Sequence, residues 1–398
     1  QEGGLFGPAL GGLVILVSLV VLPLWFREEP RFGLALLGAY IALRGTIRRN
    51  PSAHRWACKL ERSAAATYLS LLLVEISLIA FGVGAHPQSY ENPWPSMRGL
   101  FAESPRMGFR NTPGWRGTFD NGLLQAAIAI NSRGDRDDEP GAGDPNRERV
   151  LLLGDSLAFG YGLSRPETIE RRIETLSGGA YDIYNLGTIA YSVSHIIEKL
   201  RANDWWEGSA AVYLFSNTDL ADLPLDHYAV YEGYLVRRYH PDGKPRSEDE
   251  LRKEMALWLS RHDRKPRSFR FNRIVTLRTI RGQIEDMLRR DARDSWPGHY
   301  TPQTIAGAVE KTQTLRDVAS KRAERFLVVI IPNLAEARKR TYANSTTRYM
   351  EALRTAGIEL IEVRDRLNTK DYFAVDRHLT PTGARIVAEA ILERLDQD

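Results

Sequence analysis

The chain has 398 residues, of which 43% are hydrophobic and 26% charged, and a formal net charge of +4, a balance ordinary for a globular protein and long enough for more than one folded unit. The single cysteine, Cys58, excludes an intramolecular disulfide and a cysteine-based metal site. The basic clusters at Arg237, Arg238 and residues 261–270 read as solvated helix surface rather than a nucleic-acid footprint, and no spacing of histidines and carboxylates points to a metal or other cofactor.

Residues 5–26 carry no charged side chain and, at about 1.5 Å per residue, are long enough to cross a hydrocarbon core of about 30 Å. Residues 63–85 form a second such run, uncharged except for Glu75. Between them, residues 32–43 suit a short span, a re-entrant piece or an interfacial helix, so two or three N-terminal transmembrane helices are expected within a membrane anchor of residues 1–86. Arg44, Arg48, Arg49, Arg55, Lys59 and Arg62, against Glu61 alone, put the intervening segment in the cytoplasm by the positive-inside rule. The chain beyond the anchor is then extracytoplasmic, in the periplasm if the source is a diderm bacterium and the anchor lies in its inner membrane. Glu75 falls near the middle of its helix, where an ionisable group costs about 3 kcal/mol. It is expected to face a partner membrane subunit or a polar group of its own helices, such as Tyr40 or Ser18; the alternative is a protonated side chain among lipids.

Residues 87–147 are rich in Pro, Ser, Asn and Gly and then in charge, and read as an extracytoplasmic connector ending in a loop at 131–147. The domain at 148–398 opens with the apolar run from Val150 to Leu153, a strand buried on both faces that stops at Gly154, Asp155 and Ser156. A serine just past the carboxyl end of such a strand stands where open α/β sheets place their chemistry, which makes Ser156 the candidate nucleophile. Further strands are expected at 181–185, 210–215, 326–331 and 358–363, with helices at 167–176, 193–202, 305–323 and 345–356, an alternation that predicts a parallel sheet. An insertion of residues 223–304 carries Tyr228, Tyr231, Tyr234 and Tyr239 and a basic helical stretch; its rings suit either a glycan-stacking cap or the insertion's own core. Near the end, Asp376, Arg377 and His378 precede a helical pattern at 384–395. Residues two apart in a tight turn can point to one side, so Asp376 can orient His378 as the base that activates Ser156. None of the other seven histidines has this setting.

The stretch Leu153 to Gly162, read Leu-Gly-Asp-Ser-Leu-Ala-Phe-Gly-Tyr-Gly, resembles the first block of the GDSL, or SGNH, hydrolase superfamily. Asp376 to Gly383 resembles its last block in the Asp-x-His form of polysaccharide O-acetylation proteins. The resemblance implies a flavodoxin-like three-layer α/β fold, a Ser156, His378 and Asp376 triad, and ester chemistry on an acylated glycan beside a multispan membrane partner. It also implies oxyanion donors in the amides of Ser156 and Ala190 and in Asn217 or Thr218. Two middle blocks depart from the pattern. Ala190 stands where the family has glycine, a change without consequence if its φ is negative. With the aspartates aligned, Thr218 takes the place of the family's asparagine and Asn217 falls one residue early. Two functions are open: a membrane-anchored extracytoplasmic serine esterase or O-acyltransferase working on surface polysaccharide through an acyl-serine, or a catalytically degenerate SGNH-like subunit serving as a structural or assembly component of a membrane complex.

Overall fold

The computed structural model describes residues 51–80, 94–120, 124–141, 146–202, 206–240, 243–262, 300–373 and 377–397. The chain divides into two units, Gln1–Gln88 with Lys265–Ala292, and Ser89–Arg264 with Arg293–Asp398.

The described part of the first unit is helix α1, Pro51–Ala80. Thr67, Ser70 and Ser77 donate their hydroxyls to the carbonyls of Ser63, Ala66 and Leu73 four residues back, so these polar groups need no water. Leu69, Leu73 and Ile76 share one exposed face, whereas Glu75 is fully buried. No described helix is long and apolar enough to cross a membrane. The expected spans at 5–26 and 32–43, and the end of the one at 63–85, lie outside the described residues.

The second unit opens with two hairpins. The first pairs β1 (Phe101–Ser104) with β2 (Gly108–Asn111), the second β3 (Arg116–Asp120) with β4 (Gln125–Ala129). Then come β5 (Glu148–Leu153), the one-turn helix α2 (Ser156–Phe159), α3 (Ile169–Leu176), β6 (Tyr181–Asn185), α4 (Val193–Ala202) and β7 (Gly208–Ser216). A third hairpin, β8 (Tyr228–Tyr231) with β9 (Tyr234–Arg237), and α5 (Glu248–His262) lie in the expected insertion. The chain resumes with α6 (Pro302–Ala319), β10 (Ala323–Ile331), α7 (Leu334–Lys339), α8 (Asn344–Thr355), β11 (Glu359–Glu362) and α9 (Pro381–Leu395).

Five strands form one parallel sheet in the order β11-β10-β7-β5-β6. Ranked by their place in the chain, this is the flavodoxin-like order 2-1-3-4-5, whose connections reverse direction between β5 and β7. Alternate residues of the central strands feed two separate cores. Leu151, Leu153, Tyr213 and Val328 pack with Ile196 and Leu200 of α4, Leu315 of α6 and Leu353 of α8. Val150, Leu152, Val212 and Val329 pack on the other face with Ile173 of α3 and Val387 and Ile391 of α9. Each such fully buried branched side chain contributes roughly 2 kcal/mol, and burial on both faces is why these strands read as continuous apolar runs.

The segment expected to be a connector is part of this body. Met97, Leu100, Phe101, Phe109, Phe119, Ile128 and Ile130 join the first core. Its charges are inside too: Asp135 and Arg136 are almost fully buried. Lys199 Nζ meets Asp135 at 2.7 Å, and Arg165 meets Asp137 at 2.9 Å. Composition read these residues as a spacer because their strands are only four or five residues long and their charges are paired by distant partners. In the insertion, Tyr234 is buried and Tyr228 packs edge-on against Phe109, so these two rings serve the protein's own core.

Candidate active site

Ser156 is set at the switch point by a turn that needs its residue types. A Cβ on Gly154 would lie 2.9 Å from that of Ala158, so the strand can bend this sharply only with glycine. The Asp155 carboxylate then caps α2, accepting from the Leu157 amide at 2.9 Å. Ser156 is the first residue of that helix, so its amide is among those with no acceptor inside the helix. Gly160, left-handed at φ 78°, ends it.

The second half of the site comes from a loop closed on itself. Tyr372 and Leu379 bridge, the Phe373 amide donates to the His378 carbonyl at 2.8 Å, and the Arg377 amide to the Phe373 carbonyl at 3.0 Å. Thr380 caps α9, and Pro381 supplies its first residue. A Cβ on Gly383 would fall 2.3 Å from the Asp371 carbonyl oxygen, so the loop seats only on a glycine. His378 Nε2 lies 2.8 Å from Ser156 Oγ. This is the distance at which an imidazole takes a hydroxyl proton. Asp376 lies outside the described residues.

The loop 185–190, which carries Ala190, is held tightly against the turn that bears Ser156. The Asn185 side-chain amide donates to the Ala158 carbonyl at 2.8 Å and to Glu170 at 2.7 Å, while its oxygen accepts from the Gly187 amide at 2.9 Å. A Cβ on Gly187 would lie 2.3 Å from the Phe159 amide nitrogen. Buried Lys199 ties the loop down from the other side, donating to the Leu186 carbonyl at 2.9 Å and the Thr188 hydroxyl at 3.2 Å. Ala190 has φ 66°, so the condition under which its replacement of glycine would be without consequence is not met, and the backbone there is strained. Arg377, beside His378, is a second non-glycine residue in the left-handed region, at φ 68°.

Asn217 and Thr218 depart from the expected oxyanion role. Asn217 is buried, and its amide donates to the Thr346 hydroxyl at 2.6 Å and the Ser345 hydroxyl at 3.2 Å, so both its protons are engaged at the start of α8. Thr218 is exposed, with its hydroxyl 2.6 Å from that of Ser216. The one-residue offset in the sequence was the signal: it turns the asparagine into the α8 contact. Two carboxyls lie under the site. Burial raises the Asp155 pKa, opposed by the Leu157 amide and by His378. Asp219 is raised well above the usual range, first by burial and then by Asp155. Asp219 therefore takes a proton more readily, easing the repulsion behind Ser156.

Three contributors to the site had no sequence signal of their own: Tyr161 stacked on His378, Arg136 on the loop after α2, and Lys199, paired with Asp135, on the loop 185–190. Among the described residues no three His, Cys, Asp or Glu side chains form a metal-sized cluster.

No protein-family profile matches the chain, and no curated protein matches it. Solved structures do. A member of the lipolytic protein G-D-S-L family from Veillonella parvula is 11% identical, with 63% of this chain and 99% of that one covered at a TM-score of 0.34. A carbohydrate esterase family 2 enzyme with a carbohydrate-binding domain from Corynascus thermopiles is 13% identical over 64% of this chain and 67% of that one, TM-score 0.34. A carbohydrate acetylesterase family member from Sinorhizobium meliloti is 12% identical over 62% and 97%, TM-score 0.31.

Proposed function

We propose that this chain is a serine esterase or O-acyltransferase of the GDSL/SGNH type, acting on acyl esters of a surface polysaccharide. The observation that carries the reading is the 2.8 Å approach of His378 Nε2 to Ser156 Oγ at the switch point of the sheet. His378 takes the hydroxyl proton as Oγ attacks the ester carbonyl, and the negative oxygen is received by the amides of Ser156 and Ala190. Collapse expels the sugar alcohol, which leaves with the proton from His378, and an acyl group stays on Ser156. Water or a second sugar hydroxyl then gives its proton to His378 and takes the acyl group, and His378 returns that proton to Ser156 Oγ as the acyl–oxygen bond breaks, completing hydrolysis or transfer. Asp376 is assigned to the imidazole by the sequence pattern.

The finer part of the reading is location. The uncharged run at 5–26 and the exposed leucines of α1 support an anchor in the bacterial inner membrane, with the second unit in the periplasm. Extraction of membranes with alkaline carbonate tests this, since an anchored chain stays in the pellet.

Labelling of the full chain with a serine-directed fluorophosphonate tests the chemistry. The wild type is expected to label at Ser156, and Ser156→Ala and His378→Ala to lose at least about a thousandfold in hydrolysis of an activated acetyl ester. A wild type that neither labels nor hydrolyses favours the second reading, a catalytically degenerate subunit of a membrane complex. The observations on that side are the engaged amide of Asn217 and the strained Ala190.

A further inference from the structure

Tyr161 lies five residues after the nucleophile, on the loop that succeeds α2. Its ring stacks on the His378 imidazole, with centroids 4.2 Å apart and planes at 25°. Behind it, fully buried Phe119 of β3 meets the Tyr161 ring edge-on, at 4.7 Å and 77°. The loop itself is clamped: buried Arg136 donates to the carbonyls of Phe159 at 2.8 Å, Gly160 at 2.6 Å and Leu163 at 2.7 Å. Burial pushes the Arg136 guanidinium down to about 10, with Glu170 opposing the shift, so it stays charged at neutral pH. Gly160 and Gly162 flank the tyrosine with φ 78° and 75°, conformations that turn the backbone on both sides of it.

An imidazole's terminal torsion is broad, and a base whose ring can swing spends much of its time with Nε2 away from the hydroxyl. A flat aromatic wall on one face removes those orientations. Resting on the serine-hydrolase reading above, we infer that Tyr161, braced by Phe119 and Arg136, is a positioning residue that fixes the plane of His378. The hairpin β3 with β4 is thereby a working part of the site although it lies outside the parallel sheet.

The test uses the full chain, p-nitrophenyl acetate and histidine labelled with 13C. Tyr161→Leu is expected to lower kcat about tenfold with KM little changed, whereas Tyr161→Phe, which keeps the ring, retains the rate. The carbon-bound protons of His378, assigned with His378→Gln, should be shifted upfield by the ring in the wild type and Tyr161→Phe and lose that shift in Tyr161→Leu. Wild-type kcat together with an unchanged His378 signal in Tyr161→Leu overturns the inference. An inactive wild type defeats the esterase reading alone, and the His378 signal then decides this one by itself. Should Tyr161→Leu fail to fold, Phe119→Leu replaces it, with an expected drop of about threefold, and an unaltered rate and signal overturn the inference.

Discussion

The parallel sheet and the segment ahead of it, described at residues 97–120 and 124–138, both send side chains into the interior, but by opposite chemistry. The sheet hides hydrocarbon: Val150, Leu151, Leu152 and Leu153 are each fully covered. The leading segment adds ions to its apolar residues, with Asp135, Arg136 and Asp137 covered and each held by a partner from the α/β body. Apolar packing makes a stable platform, whereas buried charge fixes the loops on that platform in one arrangement, because an ion moved off its partner inside a protein costs several kcal/mol.

The largest expected effect breaks that comparison at Arg136. Arg136→Met leaves three carbonyls without their donor and the buried Glu170 carboxylate with Arg165 as its remaining cation, and should cost about 4 kcal/mol in urea denaturation. A loss below about 1 kcal/mol would mean that the buried ions are incidental.

A second experiment works at the seam, where His195 of α4 stacks on Tyr191 and tilts against Phe109 of β2. Its Nδ1 accepts from the Ser192 amide and its Nε2 faces the Leu225 carbonyl, which suits a neutral ring, and burial pushes its pKa down to about 4. A histidine whose folded pKa lies below its unfolded value of about 6.5 contributes stability that is present above that value and lost as pH falls toward 4. From pH 7 to 5 the wild type should lose about 2 kcal/mol through this group. His195→Gln, which can make both hydrogen bonds, should lack that slope. Burial raises the pKa of Asp135, Asp137 and Asp219, so these groups work in the opposite direction, equally in both proteins. Identical slopes would place the ring in water.

The smallest effect sharpens the sheet side. Ala190→Gly removes the left-handed strain and should raise stability by about 1 kcal/mol, read as a higher Tm, with activity kept or increased. A lower Tm would mean that the methyl group makes a contact worth more than the strain.

These contrasts explain which features are legible in the sequence. Val150 to Leu153 and the turn at Gly154 to Ser156 are legible because a strand buried on both faces and a glycine-dependent bend both leave local marks. His378 is legible for the same reason, as its loop and the Thr380 cap are contiguous. Asp135 and Arg136 are not: a charge on paper is the same whether it meets water or, as here, Lys199 and the Phe159 carbonyl. The left-handed φ of Ala190 lies in a loop held by the seating of Gly187 on Phe159 and the grip of Lys199, neither of which is local. Asn217 lies between, since its offset is visible while its acceptors, Ser345 and Thr346, are more than a hundred positions away.

The hydrogen bond between His378 and Ser156 joins positions 222 apart, and the imidazole is held there by the packing of α9 over α3. Without that packing the candidate nucleophile lacks its candidate base. On the hydrolase reading, reactivity therefore belongs to the completed tertiary structure, and an unfolded chain carries a hydroxyl no more aggressive toward esters than that of any other serine.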